Sequence, residues 1–323
     1  MLMIKLPDNL LNVIYTFVDE VSMFELCKSV FRLKKDYYHY KLNRKYSIEY
    51  YKKGLSLENV KYLHLFISKY RFEGEGLVLD CEQLSNIYSL ELRECYITDL
   101  SGLKNINRLI LERCNKILSI SKLNNILNLD IKNCKKMYNI TNLRNMENIN
   151  ISYCNEIRNI DNMHNINNML ISTCDGMEYV SDINKGNHFT ILYCNNLQKI
   201  FNIKYLEFIV LVVANKLKEI LMIENNNSVI LSNCPNVFDI SGLNNNKEII
   251  ILNCNGLLLT PLIKDVETLS LCHCKSIKNL SGIQNVKKLK LDDETMSHLT
   301  GLNDLLSTEI EWVSCKRLLV FRQ

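Results

Sequence analysis

The stretch that decides the fold runs from residue 109 to residue 134 and reads LILERCNKILSISKLNNILNLDIKNC. It holds two copies of one pattern, in which apolar residues lie five and three positions before a cysteine. The cysteine returns every 20 residues along most of the chain, at Cys114, Cys134, Cys154, Cys174, Cys194, Cys234, Cys254 and Cys274, with Ala214 in the one missing place. A fixed period in the twenties is typical of a solenoid, in which each coil buries its apolar face only against its neighbours.

Within each repeat, the apolar positions indicate one short strand followed by an extended return path. With the cysteine as position zero, apolar residues lie at −5, −3, +3, +6, +9 and usually +12. The −5/−3 pair predicts a strand with one buried face, and the later steps of three residues do not fit a helix of period 3.6. Eleven such pairs, from Leu90/Leu92 to Leu289/Leu291, predict a parallel sheet on the order of 50 Å long.

The pattern L-x-L-x-x-C with trailing apolar positions resembles the leucine-rich repeat. Residues 97–106, ITDLSGLKNI, are similar to the short subfamily seen in phosphatase regulators and bacterial internalins. The resemblance covers about residues 77–315, with an irregular unit at Leu77, Leu79 and Cys81 and a longer last unit at Ile310 and Trp312. It implies an α/β solenoid for residues 77–323, a horseshoe with a parallel sheet on its concave face and 3₁₀ or extended segments on its convex side.

Composition and charge indicate which classes of partner this chain is not expected to bind. The net charge is +4, and residues 1–53 hold ten Lys and Arg against six Asp and Glu, so the repeats are close to neutral. This argues against a nucleic acid partner. Regular spacing explains nearly all of the 13 cysteines as core positions. Without a signal-peptide pattern, we expect a reducing compartment, cytoplasmic or nuclear. The longest apolar run, residues 208–214, is too short to span a bilayer, so we expect no membrane partner.

Residues 1–46 do not follow the repeat and predict a small helical segment. They resemble an F-box, although the usual tryptophan near the end of that motif is missing. The resemblance implies binding to the Skp-type adaptor of a cullin-RING ubiquitin ligase through Leu6, Pro7, Leu10, Leu11, Ile14, Leu26 and Val30. The alternative is a plain helical cap that closes the solenoid. Residues 47–76, rich in Tyr and Lys, are predicted to be a helical linker and N-terminal cap.

In the leucine-rich repeat fold, the −4 and −2 side chains point outward onto the concave face. These positions are polar in the early repeats and become apolar from the fifth pair onward. The predicted partner-binding residues are Leu170, Leu192, Val210, Val212, Val213, Ile230, Ile250 and Leu252. We expect an exposed apolar patch larger than a soluble monomer usually leaves uncovered. Two alternatives stay open, coverage by a loop or the C-terminal tail, and homodimerisation through the patch.

Catalytic motifs are absent from the sequence. It holds no phosphate-binding Gly-rich loop, no H-E-x-x-H and no G-x-S-x-G, and its six histidines occupy unrelated repeat positions. Cys272-His273-Cys274 offers too few outward ligands for zinc. We therefore expect no enzyme activity, metal or cofactor. The favoured interpretation is a substrate-recognition subunit of a ubiquitin ligase that holds an unidentified target protein, and the alternative is a stand-alone protein-binding scaffold.

Overall fold

A computed structural model describes the backbone of residues 39–42 and 62–66 and most of residues 87–313. Within the last range, residues 95–96, 99, 102, 104–105, 122, 124–125, 258–262, 281–282, 298 and 301–307 are outside the described residues. The predicted F-box-like residues, from Leu6 to Val30, also lie outside the described part of the chain, as do Leu77, Leu79 and Cys81.

In the described residues, stacked coils form a solenoid around a parallel sheet of sixteen strands, and two further strands form a small separate sheet. This confirms the predicted fold class. The strands are β1 (His39–Leu42), β2 (Tyr62–Phe66), β3 (Ser89–Arg93), β4 (Arg108–Glu112), β5 (Asn128–Lys132), β6 (Arg144–Ser152), β7 (Asn159–Ile160), β8 (Met163–Ser172), β9 (Tyr179–Leu192), β10 (Lys199–Val212), β11 (Glu219–Glu224), β12 (Ser228–Ser232), β13 (Glu248–Leu252), β14 (Ile263–Lys264), β15 (Thr268–Cys272), β16 (Ile283–Gln284), β17 (Lys288–Leu291) and β18 (Glu309–Trp312). A 3₁₀ turn spans Ser241–Leu243, and helix α1 spans Asp293–Met296.

The predicted −5/−3 pairs all lie on strands of this sheet, and their side chains form the core. From β4 to β17 of the main sheet, each strand residue pairs with the residue 20 positions later on the next strand. Examples are the pairs Leu111↔Ile131 and Ile251↔Leu271. Each of these side chains is buried between the coils before and after its own. The return path is extended, and β7, β11, β14 and β16 form short parallel pairs along it. The sequence period is therefore the period of the coil.

The sheet begins before residue 77. Strand β1 pairs with β2, and β2 pairs directly with β3 in the register Leu63↔Leu90. Both strands fall within segments that we predicted to be helical, and that expectation is wrong for residues 39–42 and 62–66. Residues 62–66 carry the apolar pair Leu63/Leu65, but Ser68 stands where the repeat would place cysteine, so the repeat pattern was hidden. The division of the chain into domains stays a prediction.

The coils turn at corners that have left-handed backbone conformation. In one coil, Asn133, Asn142 and Asn145 have φ values of 56°, 65° and 56°, and these corner positions recur in other coils. Asparagine tolerates this conformation better than most residues because its short polar side chain can bond locally. The corners therefore give the many asparagines of this chain a structural role.

The repeated cysteines form a ladder inside the solenoid, each with a fully buried side chain. The thiol of Cys134 donates to the carbonyl oxygen of Lys132 in its own coil (3.7 Å) and to that of Leu111 in the coil before (3.6 Å). Burial raises the pKa of Cys154 to about 12 and the pKa of Cys194 to about 11. These thiols therefore act as small core side chains that also link successive coils.

Helix is scarce in the described part of the chain. There, α1 has four residues, and no helix is long and apolar enough to cross a membrane. Asp292 caps α1, because its carboxylate accepts a hydrogen bond from the Thr295 amide at 3.0 Å.

Candidate protein-binding surface

The outward face of the main sheet carries the residues two, four and six positions before each ladder position. The −5 and −3 side chains point into the core, so the alternation of a strand places these other residues on the opposite face. On β5 they are Asn128, Asp130 and Lys132. The face is mainly polar from β5 to β6 and mainly apolar from β10 to β13.

Five apolar residues on this face form what we call the covered cluster: Val210, Ile230, Ile250, Leu252 and Cys272. Their exposed fractions are 8%, 5%, 9%, 4% and 0%. The sequence-based expectation that Val210, Ile230, Ile250 and Leu252 form an exposed patch is therefore wrong. One reason lies in the register, which places Val210 beside Ile230 and Ile230 beside Ile250, so that these side chains bury one another.

Two further residues extend this buried region toward the C-terminal end. Ser270 pairs with Ile250 across β13 and β15 and is 0% exposed. Within the described part of the chain, the Ser270 Oγ has no hydrogen-bond partner. Val313, the last described residue, is half-buried and packs against the covered cluster. The region is therefore shielded from solvent on the outward face of the sheet.

A second group of apolar residues on the same face remains accessible. We call this group the accessible section, and its members are Leu170, Leu192, Val212 and Phe208. The first three are partly exposed and lie on the consecutive strands β8, β9 and β10, and Phe208 is 37% exposed. The Phe208 ring stacks on the His188 ring of the neighbouring strand at 4.9 Å between centroids. The accessible section therefore offers apolar surface that is held rigidly by the sheet.

Val213 lies at the corner after β10 and not on the flat face. Its φ is 56°, and it is half-buried. Tyr153 and Tyr193 occupy the same corner in earlier coils, with φ of 56° each, and both are exposed. Of the predicted partner-binding residues, Leu170, Leu192 and Val212 are thus brought together on the accessible section, whereas Val213 flanks it.

The early strands present mainly polar side chains on the outward face, and the apolar Ile110 on β4 is an exception to the prediction. Partial burial raises the pKa of the Asp130 carboxyl, while the positive charges of Lys132 and Arg108 act in the opposite direction. Amide side chains also form a ladder across strands, in which Asn148 Nδ2 donates to Asn128 Oδ1 at 2.6 Å. These residues satisfy one another and leave the apolar accessible section as the distinctive part of the face.

His273 forms a cluster with two acidic residues that lie about one coil later in the sequence. Its Nδ1 lies 2.6 Å from Glu294 Oε2 and 3.2 Å from Asp292 Oδ2, and the Lys275 Nζ lies 2.6 Å from Glu294 Oε1. Lys275, and after it His273, lowers the pKa of Glu294. The donor atoms of His273, Asp292 and Glu294 lie within 4.8 Å of one another, a spacing that a cation could bridge.

The contacts within this cluster instead indicate a structural role, in which it holds the last coils together. Asp292 accepts from the Thr295 amide and from the His273 amide, and Lys275 neutralises Glu294. The contacts join the corner after β15 to helix α1. In the sequence His273 stands out only as the residue between Cys272 and Cys274, and Asp292 and Glu294 were not predicted as its partners. The 20-residue register could have indicated them, because they follow His273 by about one coil.

Comparison with known proteins adds little to these observations. No protein-family model matches the sequence, and no curated protein matches it. Among solved structures, a leucine-rich repeat protein from Bacteroides ovatus ATCC 8483 is similar to this chain, with 12% sequence identity and a TM-score of 0.25. The match covers 80% of this chain and 79% of the bacterial chain.

Proposed function

We propose that this chain is a protein-binding scaffold whose partner contacts the accessible section. The observation that carries the proposal is that Leu170, Leu192 and Val212 are partly exposed apolar side chains on three consecutive strands, with Phe208 beside them. Clustered apolar and aromatic residues on a rigid surface are typical of interface centres.

The scaffold would act by positioning a partner, without bond chemistry of its own. Neighbouring strands hold their side chains about 4.8 Å apart, so little conformational freedom is lost when a partner binds. The polar residues from β5 to β6 would then form the rim of the interface. A rim of this kind adds specificity more than affinity.

A crosslinking experiment followed by titration tests this proposal. A photo-crosslinking residue at position 192 identifies the bound protein in cell extract, and the purified pair is then titrated. We expect Leu170→Lys and Leu192→Lys to weaken binding at least about tenfold, as for central interface residues. Leu118→Lys and Tyr138→Lys serve as matched controls, because both are exposed apolar residues on the return path, away from the outward face of the sheet. Equal losses in all four variants, or no loss in the leucine variants, would rule out this surface.

A finer hypothesis assigns the scaffold to a ubiquitin ligase. In it, the F-box-like residues Leu6, Pro7, Leu10, Leu11, Ile14, Leu26 and Val30 engage a Skp-type adaptor, while the sheet holds the target protein. What supports it is the resemblance of residues 1–46 to an F-box, followed by a repeat solenoid. Tethering would raise the effective concentration of the target near the ligase. The chain would then work in the cytoplasm or the nucleus.

Calorimetry with a purified Skp-type adaptor tests the finer hypothesis. The full chain is compared with a deletion of residues 1–36, which keeps strand β1, and with a Leu10→Asp/Leu11→Asp variant. Binding by the full chain alone supports the ligase role. Absence of binding by the full chain leaves the stand-alone scaffold, and sedimentation of the pure chain tests the remaining possibility of a homodimer.

A further inference from the structure

We propose that the partner contributes a proline-rich segment in the polyproline II conformation, which binds along the corner that follows the outward strands. This corner is the position before each ladder position. In four consecutive coils it holds Tyr153, Thr173, Tyr193 and Val213, which we call the tyrosine column. The inference rests on the proposed function, because the tyrosine column borders the accessible section, where Leu192 directly precedes Tyr193.

The tyrosine column alternates large exposed side chains with smaller ones. Tyr153 and Tyr193 are 49% and 52% exposed, whereas Thr173 and Val213 are partly buried. All four residues have φ between 52° and 56°, so they share one backbone conformation. Tyrosine is enriched at protein interfaces because it combines a large ring with a polar hydroxyl group. The column therefore presents two accessible rings, each followed by a gap one residue wide.

Backbone hydrogen bonds between coils fix the spacing of the tyrosine column. The Tyr153 amide donates to the Ser172 carbonyl oxygen at 3.1 Å, and the Tyr193 amide donates to the Val212 carbonyl oxygen at 2.9 Å. Each step along the column is therefore one strand spacing, about 4.8 Å. Large and small positions alternate, so the pattern repeats every two spacings, at about 9.6 Å.

This repeat distance selects one peptide conformation. A polyproline II helix presents the same face every three residues, or about 9.3 Å. An extended strand presents the same face about every 6.8 Å, and two turns of an α-helix span about 10.8 Å. Proline favours the polyproline II conformation and loses little conformational freedom on binding. Prolines three residues apart would therefore fit the gaps at Thr173 and Val213.

The charges around the column indicate which end of the segment is acidic. Lys132, Lys135 and Lys136 are exposed in the coil before Tyr153, and none of them forms an ion pair within the described residues. Their like charges repel one another, so carboxylates of a partner would be attracted there. The next two coils instead carry the carboxylates of Glu156 and Asp175 beside the column. The segment should therefore carry acidic residues only at the end nearest β5.

Synthetic peptides test the spacing and the charge directly. The purified full chain is titrated into fluorescent peptides that hold two glutamates and three prolines, with two alanines between successive prolines. One peptide carries the glutamates at its amino end and another at its carboxyl end, which determines the direction of binding. A third peptide of the same composition has its prolines adjacent.

We expect one of the two spaced peptides to bind with a Kd below about 1 mM. The peptide with adjacent prolines should bind at least about tenfold more weakly, because its prolines cannot reach both gaps. Fluorescence anisotropy measures both affinities. Lys135→Glu/Lys136→Glu should weaken binding of the spaced peptide, and the loss should shrink as the salt concentration rises.

Tyrosine variants locate the binding surface. Tyr153→Ala and Tyr193→Ala should each weaken binding of the spaced peptide at least about tenfold, as for central interface tyrosines. Tyr205→Ala is the matched control and should leave binding unchanged. Tyr205 is 59% exposed and has φ of 59°, but it lies at the corner equivalent to that of Asn145.

Three results would overturn the inference: no binding of either spaced peptide, equal binding of the peptide with adjacent prolines, or an equal loss in Tyr205→Ala. Sedimentation as a dimer that Tyr193→Ala dissociates would also overturn it, because the column would then bind a second copy. Failure of the proposed function gives a different result. If Leu192→Lys weakens binding of the crosslinked partner while neither spaced peptide binds, the accessible section remains the interface and only the proline-rich segment is ruled out.

Discussion

Val213 is the residue at which a single substitution should stabilise the solenoid. It has φ of 56°, the conformation that Asn233 and Asn253 adopt at the same corner in the next two coils, with φ of 55° and 56°. A β-branched side chain in this conformation is strained by about 1–2 kcal/mol, whereas asparagine accepts it more readily. We therefore predict that Val213→Asn raises the free energy of unfolding.

The magnitude follows from three contributions. Relief of strain contributes about 1–2 kcal/mol. The amide of Asn253 donates to Asn233 Oδ1 at 2.6 Å, and an asparagine at position 213 would extend this ladder by one bond, worth about 0.5 kcal/mol at a partly exposed site. Loss of the half-buried valine side chain costs about 1 kcal/mol. The net gain is about 1 kcal/mol.

Chemical denaturation followed by far-ultraviolet circular dichroism measures the effect. The midpoint should rise for Val213→Asn, and it should fall by a similar amount for the reverse change Asn233→Val. Val212→Asn is the control within the regular strand, and it should destabilise because Val212 packs on the covered cluster. If Val213→Asn lowers the midpoint while m stays constant, the corner is not strained and the reasoning fails.

Two further predictions concern buried polar groups. Because burial raises the pKa of Cys154 to about 12 and that of Cys194 to about 11, stability should be intact below about pH 9 and fall as pH rises through the folded pKa values, by up to about 1.4 kcal/mol per pH unit for each thiol. Urea midpoints from pH 8 to 11 test this, and a Cys154→Ala/Cys194→Ala variant should show a shallower decline. Asn226 accepts from the Leu206 amide at 3.0 Å inside the core, so Asn226→Ala should cost about 1–3 kcal/mol, against less than about 0.5 kcal/mol for the exposed Asn168→Ala. Thermal melts of both variants measure the difference, and equal effects would contradict the role of the buried amide.

The solenoid could be predicted from sequence because its information is local and periodic. A cysteine at the end of each strand and the preceding apolar pair specify strand, coil and register at once, as in the predicted step from Leu129 to Ile149 that the structure contains. Strands β1 and β2 escaped prediction because they lack the cysteine. A tyrosine-rich segment without that marker fits a helix and a strand equally well.

The state of the outward face was harder to predict. Repeat position shows that Leu192 and Leu252 share a column of the sheet, but it does not show which of the two side chains is buried. The burial of an outward side chain depends in part on contacts from outside the repeat, such as that of Val313 with the covered cluster, and the repeat does not encode them. The cluster around His273 differs, because Asp292 and Glu294 follow it by about one coil and the 20-residue register could have placed them beside it.

The uniform register from β4 to β17 has a consequence for how this molecule can change its length. Each of these coils pairs with its neighbours in the same register. Deletion of 20 residues between equivalent points, such as residues 139–158, would join Tyr138 to Asn159. Every later strand would then keep its register with the strand before it. Unequal recombination between equivalent codons would therefore yield a shorter or longer chain that still closes its core. The number of coils could therefore change by whole repeats during evolution. The first and last strand pairs have other registers, so they would not take part in such exchanges.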